Sequence, residues 1–294
     1  MSDFYGTPTI RLSSRDVELE CLETAGPRIV RLRYKGSPNL LVELPLNSIP
    51  TPYGDYHYMG GHRLWHAPEG MPGSYIPDND GLTLSRLLDG VLLDGKPEIM
   101  TGIHKKIEVH LAPDQPRIIL NHSLINEGPL DVELAPWALT MFRLGGKVIL
   151  PMQEPNPNLK DLLPNRRISL WPYSHIHDPR LHLDDGFIIL DAQPQLPPIK
   201  IGTFNPQGWI AYWLEGILFR KSFAVQLHQA YPDLGCNAES YCDNEFVELE
   251  SLGPLTRLPP GGQVAHTETW ELYDHLEQDF IPDGLMSLLK VPGV

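Results

Sequence analysis

Three cysteines in 294 residues, Cys21, Cys236 and Cys242, are too few and of the wrong parity for a disulfide framework. Basic residues are also scarce. There are 23 Lys and Arg against 37 Asp and Glu, for a formal net charge of −14. Nucleic acids and anionic membrane surfaces are bound through basic footprints, so neither is an expected partner. An anionic small ligand would need only local positive charge. No apolar run approaches the ~18 residues of a membrane-spanning helix. The N-terminus MSDFYGTPTIRLSSRD lacks the basic-then-apolar order of a signal peptide. The expected setting is therefore reduced and cytoplasmic. Also missing are a G-x-S-x-G elbow, an H-E-x-x-H pair, a phosphate-binding loop and G-x-G-x-x-G. No cofactor is expected.

Proline and glycine, by contrast, are plentiful: 30 and 25, spread along the chain. Both are rejected by helix interiors, so many short elements joined by turns are expected. The apolar pattern has a period of two. It is clear in Val17–Cys21, Arg28–Tyr34, Leu40–Glu43, Lys106–Leu111, Arg117–Ile125 and Asp131–Leu134. It returns in Gly186–Leu190, Trp209–Leu214, Ile217–Phe219, Phe223–Leu227, Phe246–Glu250 and Val264–Leu272. Runs of this length and composition, bounded by Gly, Pro, Asn and Asp, are strands. With no helices between them they imply antiparallel sheets in a sandwich or barrel. One helix is expected, after Pro282, from Asp283 to Leu289. The proline-rich stretch Pro151–Pro164 reads as a surface loop, since strands of one type lie on both sides. The expectation is one all-β domain over residues 1–294.

Four stretches could carry chemistry. In MGGHRLWHAPEG, Gly60 and Gly61 allow close approach of a chain or a ligand. His62 and Arg63 set a titratable ring beside a five-donor fork, Trp65 is a flat wall, and Glu69 is a carboxylate. That set suits a polyol, or equally a turn with Arg63 paired and Trp65 in the core. In FVELESLGP, Glu248 and Glu250 share one strand face, with Val247 and Leu249 on the other. They are either a solvated face or a site in which one pKa is raised. After Gln226 a polar loop is expected to carry His228, Asp233, Asn237, Glu239 and Tyr241. In WPYSHIHDPR, His175 and His177 could share a face near Asp178 or His182, but twelve histidines make a chance H-x-H common, and no metal site is assigned.

The order of several segments is similar to that in the galactose mutarotase-like (aldose 1-epimerase-like) superfamily, and within it to the DUF4380-type branch. The segments are AGPRIVRLRYKGSPNLL, GGHRLWHAPE, LNHSLINEGPLDVELAPWALT, WPYSHIHDPR and KIGTFNPQGWIAYW. The last is YPDLGCNAESYCDNEFVELESLGPLTRLPPGGQVAHTETWELY, whose P-G-x-x-x-x-H-T-x-x-W ending resembles the family's C-terminal strand. The resemblance spans residues 10–275. It implies a single-domain antiparallel β-supersandwich with a carbohydrate-sized pocket. It also implies cofactor-free epimerisation, in which a glutamate deprotonates the anomeric hydroxyl and a histidine donates to the ring oxygen. Two departures stand out. Trp137, in LAPWALT, occupies the place of the family's acid histidine. The family's base segment, L-E-T-Q-x-x-P-D, reads here Leu227-His-Gln-Ala-Tyr-Pro-Asp233, with no glutamate.

The expected ligand is a small carbohydrate. Glu248 or Glu250 is expected as base and His228 or His62 as acid. Arg63, Trp65, Glu69, Trp137, Asp233 and Glu239 are expected to bind substrate. A second expectation is a sugar-binding protein without catalysis, which the two departures favour. A third is a metal-dependent isomerase or lyase using the histidines. The oligomeric state is open.

Overall fold

The computed structural model describes residues 2–155, 158, 160 and 162–274. Within them the chain forms 22 strands and one 3-10 turn, Gly73–Tyr75. The strands make two sheets, of twelve and ten strands, and adjacent strands run antiparallel throughout. The expected helix at Asp283–Leu289 lies outside the described residues.

The larger sheet is built around Gly54–Ala67, Val132–Phe142, Val247–Leu252, Ala238–Cys242 and Ile199–Thr203, hydrogen-bonded in that order. The smaller is centred on Ile217–Phe223, Gln263–Tyr273, Arg117–Asn126 and Ile103–Leu111. Period-two alternation sends Leu64, Leu249 and Ile201 of the first sheet, and Ile107, Leu120, Phe219 and Trp270 of the second, into a common core. Burying such an aliphatic side chain contributes about 1.5–3 kcal/mol, so the inner faces hold the sheets together.

Leu40–Glu43 and Phe223–Leu227, expected as strands, belong to strands only at Glu43 and Phe223, and two further segments differ from the sequence expectation. MGGHRLWHA is no turn but the end of a 14-residue strand, Gly54–Ala67. Met59, Gly60 and Gly61 all have positive φ, of 56°, 80° and 71°. This kink transfers the strand from pairing with Glu43–Thr51 to pairing with Arg28–Tyr34 and Val132–Phe142. The approach is close: a Cβ on Gly60 would lie 2.1 Å from the Val42 carbonyl oxygen, and one on Gly61 2.0 Å from that of Ile29. The approaching partner is thus chain, not ligand. Second, the polar run expected as a loop contains a buried strand, Ala238–Cys242. Its polar residues are tolerated because they find partners: Ser240 Oγ, for example, donates to the Glu248 carbonyl at 2.7 Å. All three cysteines are buried and unbridged. Pro151 ends a strand, and the next, Ile168–Leu170, starts only after the proline-rich stretch.

Candidate functional site

The outer face of the larger sheet carries a cleft of about 440 Å³. Strand register explains its composition. Trp137 lies opposite Trp65, Leu139 lies between Arg63 and Glu250, and Glu250 faces Glu239. One row further along, Glu248 faces Tyr241, which faces Lys200. Polar side chains of five strands therefore stand in rows on one face.

Arg63 is almost wholly buried. Its Nη2 donates to Glu248 Oε1 at 3.0 Å and its Nη1 to the Met141 thioether at 2.7 Å. The guanidinium lies 4.4 Å from the centre of the Trp65 ring. Trp65 is itself held by a hydrogen bond from Nε1 to Tyr56 Oη at 3.1 Å. Across the cleft, Lys200 Nζ donates to Glu250 Oε2 at 2.8 Å and lies 3.1 Å from Glu239 Oε2. The same ammonium is 4.7 Å from the ring centres of both Trp137 and Trp171. Trp137 Nε1 donates to Glu250 Oε2 at 2.7 Å. Tyr75 donates to Glu69 at the rim. Opposite, Asp243 accepts the backbone N–H groups of Glu245 and Phe246 and the Tyr241 hydroxyl.

Protonation follows from burial and neighbours. Burial lifts the Glu248 carboxyl to about 7, with Arg63 opposing and Glu250 adding to the rise. Burial raises Glu239 well above the usual carboxylate range, against the pull of Lys200. Burial also raises Asp233, with Lys200 opposing. For Lys200 burial works against the charge, but Glu250 and Glu239 outweigh it and hold the ammonium well above its ordinary value. At neutral pH the cleft thus presents a fixed cation and a carboxyl balanced between its two forms.

Of the residues expected from sequence, Arg63, Trp65, Glu69, Trp137 and Glu248 line this cleft. Glu250 and Glu239 lie fully buried beneath it, both ion-paired with Lys200. Asp233 lines a smaller adjoining pocket with Trp171. His62 and His228 stand apart. His228 is exposed. His62 points the opposite way from its neighbour Arg63, as alternation requires, and is fully buried between the sheets. There its Nε2 and that of His122 are 2.8 Å apart, and its Nδ1 is 2.8 Å from Thr140 Oγ1. The His122 Nδ1 donates to the His266 carbonyl at 2.8 Å, which leaves His122 Nε2 as acceptor and His62 Nε2 as donor. Glu268 comes close enough to complete a three-ligand set with the two rings. It is already neutralised by Lys221, whose Nζ is 2.9 Å away, and accepts from Ser251 and Trp270. This cluster is a hydrogen-bonded tie between the sheets. In the other histidine stretch, Asp178 pairs with Arg180 and His182 with Asp191, and none of the histidines lines the cleft.

Lys200 and the walls Tyr58, Tyr75, Trp171 and Tyr173 were not singled out from sequence. The one local signal for Lys200 is its place between Ile199 and Ile201 in a strand, which puts it on the face away from the core.

The chain has the galactose mutarotase-like sandwich fold. A galactose mutarotase-like protein from Lactobacillus casei ATCC 334 matches 90% of this chain and 100% of its own, with TM-score 0.61 and 9% identity. A galactose mutarotase related enzyme from Lactobacillus acidophilus matches 92% of this chain and 99% of its own, with TM-score 0.56 and 8% identity. A TPR-domain containing protein from Parabacteroides distasonis ATCC 8503 matches 98% of this chain with TM-score 0.64 and 13% identity. This chain spans about half of that protein, 49%. At these identities the likeness is one of fold. No family model matches the sequence, and no curated protein matches it.

Proposed function

We propose that the cleft binds a carbohydrate and catalyses epimerisation at its anomeric carbon without a cofactor. One observation carries this reading: Glu248, its pKa lifted to about 7, stands in an aromatic-walled cleft beside a permanently charged lysine. A general base works best with a pKa near the working pH. Ionised Glu248 takes the proton of the anomeric hydroxyl. The bond from the anomeric carbon to the ring oxygen breaks, its electrons passing to that oxygen as the carbonyl forms. The Lys200 ammonium, which keeps its proton, stabilises by its charge the alkoxide so formed at the ring oxygen. Re-closure of that alkoxide on the other carbonyl face, with the proton held by Glu248 returned to the new anomeric oxygen, gives the second anomer. Trp171, half-buried, and Tyr173, exposed, offer flat walls to a sugar ring. Placement in the DUF4380-type branch rests on motif order alone. The test is polarimetry or NMR exchange on a panel of aldoses. Acceleration by the wild type and its loss in Glu248→Gln support the reading; no acceleration of any aldose removes it.

A second reading, sugar binding without catalysis, is favoured by the internal pairing of both cations, Arg63 with Glu248 and Lys200 with Glu250. It predicts saturable quenching of the cleft tryptophans by a sugar with no rate enhancement.

A further inference from the structure

The charges of the cleft point to something more specific about its ligand. Two cations line it, Arg63 and Lys200, and both are consumed by carboxylates of the protein itself. Four carboxyl groups line it, Glu69, Asp243, Glu245 and Glu248. Only Glu248 among them has a cationic partner among the described residues. Glu69 is bonded by the Tyr75 hydroxyl, Glu245 by the Asn47 amide at 3.2 Å, and Asp243 by backbone N–H groups and Tyr241. These are neutral donors, so the negative charge at the rim is uncompensated.

The cleft already shows how it holds an ammonium group. Lys200 sits between two indole faces with two carboxyls at its tip. On the strand next to Lys200, aromatic rings and carboxyls meet again: Tyr241, the register partner of Lys200, packs between Phe246 and Tyr173, with ring centres 5.6 Å and 6.4 Å away, Asp243 accepts its hydroxyl, and Glu245 lines the same cleft. An aromatic wall with adjacent carboxylates favours a cation by the ring quadrupole and by charge together.

We propose that the ligand of this cleft carries a positively charged amino group, held at the rim formed by Tyr241, Phe246, Asp243 and Glu245. On the carbohydrate reading, on which only the sugar part of this inference rests, the ligand is an amino sugar with its ring against Trp171 and Tyr173. Uronates and sugar phosphates are rejected by the same rim.

Calorimetric titration of the full chain at pH 7 tests this with D-glucosamine, D-glucose, D-galactosamine, D-galactose, D-glucuronate and choline. At least one amino sugar is expected to bind about fivefold or more tightly than its neutral parent. Glu245→Gln, an exposed change that keeps the Asn47 contact, is expected to shrink that preference. Equal binding of amino and neutral sugars, or tightest binding of glucuronate, overturns the inference and leaves the carbohydrate reading standing. Choline binding with no sugar binding sustains the ammonium site and removes the carbohydrate reading. Binding of none of the six removes both.

Discussion

A carboxyl that titrates near 7 abstracts a proton only in its ionised form. For Glu248, raised to about 7 by burial, the rate of anomer exchange is therefore expected to climb as pH rises through 7 and to level off above it. Glu248→Gln removes the base and keeps the shape. It is expected to lower the polarimetric rate about 10²–10⁴-fold while sugar affinity changes only a few-fold. An unchanged rate would show that another group is the base. Lys200 makes a different demand. Lys200→Met strands Glu250 and Glu239 in a buried site, and truncating one side of such a pair costs about 3–5 kcal/mol. Urea midpoints would show the loss. The two residues also differ in how far sequence exposes them. The spacing of Glu248 and Glu250 places both on one strand face, whichever partners they meet. Lys200 is bound to Glu250, fifty residues away, and no local pattern announces a pairing of that range.

At the scale of elements the kink at Met59–Gly61 sets the geometry of the cleft, because Arg63 and Trp65 follow it on the same strand. Gly61→Ala would force a Cβ to 2.0 Å from the Ile29 carbonyl oxygen in a left-handed conformation. A stability loss of more than about 2 kcal/mol is expected, read by urea unfolding of the tryptophan signal. Gly70→Ala, with nothing within 4 Å of the added atom, is the contrast and is expected to stay within about 0.5 kcal/mol. The glycine pair was legible as a place of unusual backbone and close approach. Its character as strand was not, because what approaches is backbone from Ile29 and Val42, set there by the order of strands in the sheet. Ala238–Cys242 was hidden for a related reason. Glu239 and Ser240 look like loop residues until Lys200 and the Glu248 carbonyl are placed beside them.

For the whole molecule, alternation was enough to read antiparallel sheets with one buried face, since Val247 and Leu249 can be hidden together only against a second sheet. It did not reveal that the space between the sheets holds charge. His62, His122 and His266 lie there with Glu268 and Lys221, and burial lowers the affinity of each ring for a proton, His266 to about 3. An unfolded histidine takes up a proton below about 6.5 while these rings stay neutral, so their contribution to stability is lost as pH falls below 6.5. Glu248 acts in the opposite sense. Its pKa is raised from 4.5 to about 7, so the folded state holds the extra proton, and stability is lost as pH rises across that window. The two effects oppose each other between pH 4.5 and 6.5, and a pH profile of the wild type alone mixes them. Glu248→Gln separates them, because glutamine stays neutral at every pH. Relative to wild type, the variant is expected to gain stability steadily from pH 4.5 to 7 and then hold a plateau of the order of 1–3 kcal/mol. The same substitution that is expected to slow exchange of anomers should thus make the fold more stable at pH 8, as expected of a carboxylate kept buried for its chemistry. Urea unfolding of both proteins across pH 4–8 measures the difference. A flat difference would mean that Glu248 keeps an ordinary carboxylate pKa, and one of opposite slope that the fold lowers it; either would withdraw the physical basis for its role as base.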